Sequence, residues 1–316
     1  MCTLALASNH TLLKPHLDAI QAKYRHLRSS SKSDRRTRRD PAIVQLAYVN
    51  ALWSAPVKFG GIAVDMLLDT GSTLCVCDLA LYNPQQSSTS EDLETNFSTR
   101  YLDGTQVSGS VFTDTMEIAG LTAPDVPIVV TPEHQFHNLP TGTGLCGLGQ
   151  IVDWTDYLPF FYHLKESNSF SDNVFAFALS FGPSQMTIGG IDFGQVDGHL
   201  TFVDVLDDTG AWEVYGSVAG FSTIITQDGD TLYGVYRCRR PPVLEIEIGD
   251  KVFTLSPEHL SMGTPNGGAC LLSLVGLDVD DSSIILGSHF FASAYVVFDV
   301  DAHQVGVGYR NRAAHT

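Results

Sequence analysis

Asp69-Thr70-Gly71-Ser72 follows directly on the apolar run Met66-Leu67-Leu68. A carboxylate carried by a buried strand into a tight Gly turn loses hydration and must recover it as hydrogen bonds. Ser72 and nearby backbone N–H groups are expected to supply them. The chemistry open to such a group is proton transfer, as base when ionised and as acid when protonated. The same tripeptide also reads as an ordinary turn opened by Asp. Tyr101-Leu102-Asp103-Gly104-Thr105 reads as a hairpin with its turn around Asp103-Gly104. Residues 142–149, GTGLCGLG, set an apolar pair among glycines, and residues 284–287, IILG, lead into a long apolar stretch. Asp208-Thr209-Gly210 repeats the first tripeptide, but Asp207 precedes it and Ala211 follows. Asp228 and Asp230 lie in QDGDT. For these three acids an exposed turn is the default reading.

The elements that must position these residues read mostly as strands. IAVDMLL (62–68) alternates and then turns fully apolar, as a strand does on entering a core. VFTDTMEI (111–118), FAFAL (175–179), QMTI (185–188), LTFVDV (200–205), WEVYGSV (212–218), LEIEI (244–248), KVFTL (251–255) and AYVVFDV (294–300) follow, mostly separated by Gly, Pro, Asn or Asp. Helices are expected at 153–167 and at SPEHL (256–260), where Ser256 is a natural N-cap. Many strands and few short helices predict a β-barrel or sandwich architecture.

The 316 residues carry a formal net charge of −17, unevenly spread. Residues 1–40 hold nine Lys and Arg against three acids, and the remainder holds nine against 32. A body this acidic repels phosphate backbones, which argues against nucleic-acid binding. The longest apolar stretch, 283–298, is too short for a membrane span. LALA (4–7) is too short for a secretion signal. Asn9-His10-Thr11 and Asn96-Phe97-Ser98 are glycosylation sequons. The leader ends in RRTRRDP (35–41) and reads either as a solubilising tail or as a propeptide processed at its Arg pairs. Six Cys have no zinc-type spacing, and Cys75 and Cys77 read as buried free thiols. His134 and His137 read as surface loop residues.

On MLLDTGS (66–72), the hairpin YLDGTQVSGSVFTDT (101–115), LCG (145–147), PSQMTIGGIDFGQVDGHLTFVDV (183–205) and ILG (285–287), the chain resembles the pepsin-like aspartic endopeptidases of fungal type. The resemblance runs in order from about residue 45 to 310. It implies a mainly β, two-lobed fold around a cleft. Residues 1–40 would be a propeptide-like segment, 41–190 the N-terminal lobe with DTG loop and flap, and 191–316 a shortened C-terminal lobe. It implies Asp69 as a catalytic acid, Thr70 as a cross-loop hydrogen-bonding residue, and Gly71 and Ser72 as its support. Tyr101, Asp103 and Gly104 would form the flap, and Cys238–Cys270 the second-lobe disulfide. The implied partner is an extended polypeptide bound by a monomer, secreted or vacuolar, with no metal or organic cofactor.

In such enzymes two adjacent carboxylates share one proton, because like charges so close cannot both ionise. The ionised acid activates water and the protonated one polarises the scissile carbonyl. This chain departs from that pattern in its second half. EVYGSVAGFSTIITQDGDTLYGVYRC (213–238) joins the approach to a second DTG loop to a segment that normally follows well after it. Asp208 and Asp228 are the stand-ins. Leu102 replaces a usual flap Gly, Cys75 stands near a usual Trp, and His289 stands where Asp commonly follows the ILG segment. Three readings stay open. The first is an acid endopeptidase, inactive or impaired as written. The second is a non-catalytic peptide-binding or inhibitor-like protein, and the third is the product of an incomplete gene model.

Overall fold

The computed structural model describes residues 4–7, 40–49, 52–101, 104–136, 139–140, 142–151, 155–167, 170, 172–206, 211–219, 224–228, 231–255, 260–261, 269–276 and 283–311. Strands dominate, as the alternating patterns predict. Thirteen of them form one hydrogen-bonded sheet. Its order is Val196–Asp204, Gln304–Arg310, Ala294–Asp299, Val174–Ala178, Ser184–Ile188, Ala42–Val49, Leu52–Phe59, Ile62–Asp69, Thr143–Gly147, Cys75–Asp78, Leu121–Thr131, Gln106–Ile118 and Glu91–Arg100. Leu52–Phe59 also pairs with Gln106–Ile118, which curls this end of the sheet towards a barrel. Gly60 and Gly61, both at positive φ, make the two-residue turn into Ile62–Asp69.

Three smaller sheets are built mostly of second-half residues. Ser217–Ala219 joins Glu245–Ile248 and Lys251–Thr254, and Ile224–Asp228 joins Thr231–Tyr236 and Cys270–Gly276. The third consists of Glu213–Tyr215, Leu4–Ala7 and Ser283–Leu286. The LALA run is therefore a strand of the second half, pairing in parallel with Glu213–Tyr215 and antiparallel with Ser283–Leu286. A largely aromatic core joins the halves. Phe175 stacks on Phe298 at 4.8 Å, and Trp212 meets both edge-on at 5.9 and 5.0 Å.

Several local expectations need correction. The helix expected over 153–167 is confined to Phe160–Glu166, because Pro159 sits at its N-cap and its ring disfavours helical backbone just before it. WEVYGSV divides into Glu213–Tyr215 and Ser217–Ala219. Of the helix expected at SPEHL (256–260), residues 256–259 lie outside those described. Cys75 is not a free thiol but bonds Cys146 across 71 residues. Strand Cys75–Asp78 lies beside Thr143–Gly147 through the Val76–Leu145 pair, a neighbourhood that local sequence cannot disclose. Cys77 is free and buried, and burial pushes its thiol pKa up, with the Asp78 charge adding to the shift. Cys238 and Cys270 form the expected disulfide.

The helix Phe160–Glu166 buries Phe160, Phe161 and Leu164 and carries His163 partly inward. Burial lowers the His163 pKa below its ordinary 6.5, against opposition from Glu166 and Asp125. The unfolded chain then takes a proton more readily than the folded one. Stability is lost as pH falls through the unfolded pKa. His163→Gln should therefore flatten the drop in melting temperature between about pH 7 and about pH 5. An unchanged slope would remove His163 from the acid response.

Candidate active site

Ile62–Asp69 alternates in burial and then becomes continuously buried from Met66 onward. It ends at Asp69, 6% exposed, followed by Thr70 at 1%. Leu52–Phe59 flanks it on one side, antiparallel. On the other side Thr143–Gly147 runs parallel and sets Asp69 opposite Gly147. One Asp69 carboxylate oxygen, Oδ1, accepts the Gly71 N–H at 3.0 Å. The Asp69 carbonyl accepts the Leu148 N–H at 2.7 Å. The Gly149 N–H reaches the Ser72 carbonyl at 2.7 Å, and the Gly147 N–H reaches that of Leu74 at 3.1 Å. Backbone bonds from 147–149 thus clasp the whole turn 69–74.

The clasp explains the glycines of LCGLG. A Cβ on Gly147 would lie 2.4 to 2.6 Å from backbone atoms of Ser72 and Thr73, and one on Gly149 would lie 2.8 Å from the Ser72 carbonyl oxygen. Backbone cannot yield as a flexible side chain does, so neither site takes a side chain without moving the turn. The Cys75–Cys146 disulfide ties the same two segments covalently. The Ser72 hydroxyl is buried and has no hydrogen-bond partner among the described residues. An uncompensated buried hydroxyl is costly.

The expected hairpin is present, with Glu91–Arg100 paired to Gln106–Ile118. The Tyr101 N–H donates to the Thr105 carbonyl at 2.8 Å and the Gly104 N–H to the Tyr101 carbonyl at 2.9 Å. Gly104 has φ +85°, a conformation natural to glycine. Leu102 and Asp103 lie outside the described residues. The Tyr101 ring packs on Phe136 at 5.6 Å, within a cluster that includes Leu74 and Leu145. Hairpin tip and Asp69 turn therefore share one apolar support.

Asp114 anchors the hairpin's base. Fully buried, it accepts hydrogen bonds from the Tyr82 hydroxyl at 2.6 Å, the Ser87 hydroxyl at 3.0 Å, and the Thr115 N–H at 2.7 Å. Asp114→Ala should cost about 1–3 kcal/mol by leaving those donors without an acceptor, read as a lowered urea midpoint. No change would mean that solvent reaches them. Sequence patterning missed this residue, although an acid facing inward within VFTDTMEI was a usable signal.

The loop after Gly147 reaches the second half. The Trp212 indole N–H donates to the Leu148 carbonyl at 2.9 Å. Gln150 bonds the Ala211 carbonyl through its amide nitrogen and the His303 ring through its amide oxygen. Asp208 lies outside the described residues. Asp228 ends Ile224–Asp228 and pairs with Thr231 across a hairpin, in a sheet separate from the one holding Asp69. His134, read as a loop residue, places Nδ1 at 3.3 Å from Asp78 Oδ2. His137 is outside the described residues.

Residues 63–227 and 208–309 match the model of the eukaryotic aspartyl protease family. The chain belongs to this family. It is 30% identical over 288 residues to "Secreted aspartyl protease 1" of Malassezia globosa, covering 81% of this chain and 72% of that one. It is 24% identical to an "Aspartic protease" of Phaffia rhodozyma, over 90% of this chain and 83% of the relative. "Penicillopepsin-1" of Penicillium janthinellum is 27% identical, over 79% of this chain and 93% of the relative. The predominance of strands and the curled sheets agree with the pepsin-like two-lobed fold of these aspartyl proteases. Among the described residues, no helix is long and apolar enough to cross a membrane.

Proposed function

We propose that this protein is a pepsin-like aspartic endopeptidase by descent, with Asp69 its first-lobe catalytic carboxylate and no second-lobe counterpart. Its substrate class is an extended polypeptide in the interlobe cleft, at acid pH, covered by the flap with Tyr101, Asp103 and Gly104. The lobes are 41–190 and 191–316, and the protein is a monomer of a secreted or vacuolar compartment. As written, the chain is impaired in hydrolysis. The carrying observation is the buried Asp69 turn, clasped by the Leu148 and Gly149 amides. Thr70 and Ser72 flank the carboxylate.

Two observations support the missing counterpart. The family model matches in two overlapping ranges, 63–227 and 208–309, rather than in one. Asp228, the stand-in within the described backbone, closes a local hairpin. With one acid, water activation and carbonyl polarisation have no separate owners.

The test assays purified full chain on denatured protein at acid pH, beside Asp69→Ala. Cleavage that is weak, acid-dependent and lost in the variant supports the proposal. Vigorous cleavage would overturn the missing counterpart, and cleavage unaffected by Asp69→Ala would overturn the site. Peptide binding without turnover, retained in Asp69→Asn, identifies a non-catalytic binder on the same fold.

A further inference from the structure

We infer that the leader strand Leu4–Ala7 stands in the place of the second lobe's own catalytic strand, making the leader a lasting structural part of that lobe. The two halves can be compared strand for strand. In the first, Ile62–Asp69 lies between Leu52–Phe59 and Thr143–Gly147. In the second, Leu4–Ala7 lies between Glu213–Tyr215 and Ser283–Leu286.

The flanking strands correspond in detail. Trp53 directly precedes Ser54, which pairs with Leu67 of the central strand, and Trp212 directly precedes Glu213, which pairs with Ala5. Leu145-Cys146-Gly147 corresponds to Ile285-Leu286-Gly287. Leu68 faces Cys146, and Leu4 faces Leu286.

The central strand keeps its place but reverses direction. Ile62–Asp69 is antiparallel to Leu52–Phe59 and parallel to Thr143–Gly147. Leu4–Ala7 is parallel to Glu213–Tyr215 and antiparallel to Ser283–Leu286. Reversal on both sides is what a strand from elsewhere in the sequence can give, since no hairpin fixes its sense.

An empty slot would leave two strand edges unpaired, the Glu213–Tyr215 edge and the Ser283–Leu286 edge, which folded proteins avoid. The chain fills it by strand addition in cis. Cutting at the Arg pairs 35–39 would then break the backbone without dismissing the strand. The basic charge of residues 1–40 against the acidic body favours the same retention.

The experiment replaces Arg38-Arg39 by a site for a specific protease, cuts the folded full chain, and runs it natively on a sizing column. The N-terminal fragment is expected in the body's elution volume, with the melting temperature unchanged. A fragment that elutes alone while the body keeps its melting temperature would overturn the inference. In a Cys2→Ser background, Ala5→Cys with Ile285→Cys and Leu6→Cys with Ile284→Cys test the register. Neighbouring antiparallel pairs alternate in type, so one of the two has the closer spacing suited to a disulfide. At least one variant is expected to carry the cut fragment through denaturing electrophoresis until reduced. No cross-link in either would overturn the inference.

Discussion

The full chain should hydrolyse denatured protein at acid pH ~10²–10⁴-fold more slowly than a pepsin-like relative that carries both DTG loops. That range is the usual contribution of one positioned acid or base. Asp69 is buried and clasped, as the proposed first-lobe half of the machinery requires. On the proposed reading the second-lobe acid is missing, so no protonated partner polarises the carbonyl while Asp69 activates water. Asp69→Ala should abolish what turnover remains. A rate within tenfold of the two-loop relative, assayed side by side, would mean that a second acid reaches the site.

Removing the Cys75–Cys146 bridge should have the largest effect on stability. It spans 71 residues, and closing a loop of that length removes unfolded-state entropy worth about 4 kcal/mol. Cys75→Ala with Cys146→Ala is the variant, and urea unfolding the measurement. The loss should be local as well as global. The bridge joins the start of Cys75–Asp78 to Thr143–Gly147, the two segments between which the turn 69–74 is held. Amide exchange at Leu148 and Gly149, which donate to Asp69 and Ser72, should accelerate ahead of the rest of the sheet. Uniform acceleration, or a shift well under 1 kcal/mol, would show that backbone bonds alone hold the turn.

Strand identity was legible because alternation and apolar runs are local. Ile62–Asp69, Gln106–Ile118 and Ala294–Asp299 all fall where their patterns put them. The Asp69 turn was legible for the same reason, and so was the hairpin at 101–105. Relations between distant residues were not. The Cys75–Cys146 bond depends on two strands meeting across most of the first half. The link from Gln150 to Ala211 and His303 crosses between halves, and no single residue type announces it. LALA was read only as too short for a signal. Four apolar residues become a strand because two others leave room between them, which is a property of the fold.

One hydrogen-bonded ladder runs from Val196–Asp204 through Ala42–Val49 to Glu91–Arg100 without interruption. Lobes that share a backbone ladder cannot swing as independent bodies without breaking it. Heating should therefore produce a single cooperative calorimetric transition rather than two. Opening of the groove would fall to the hairpin tip around Gly104, leaving the floor beneath Asp69 rigid while peptides enter and leave.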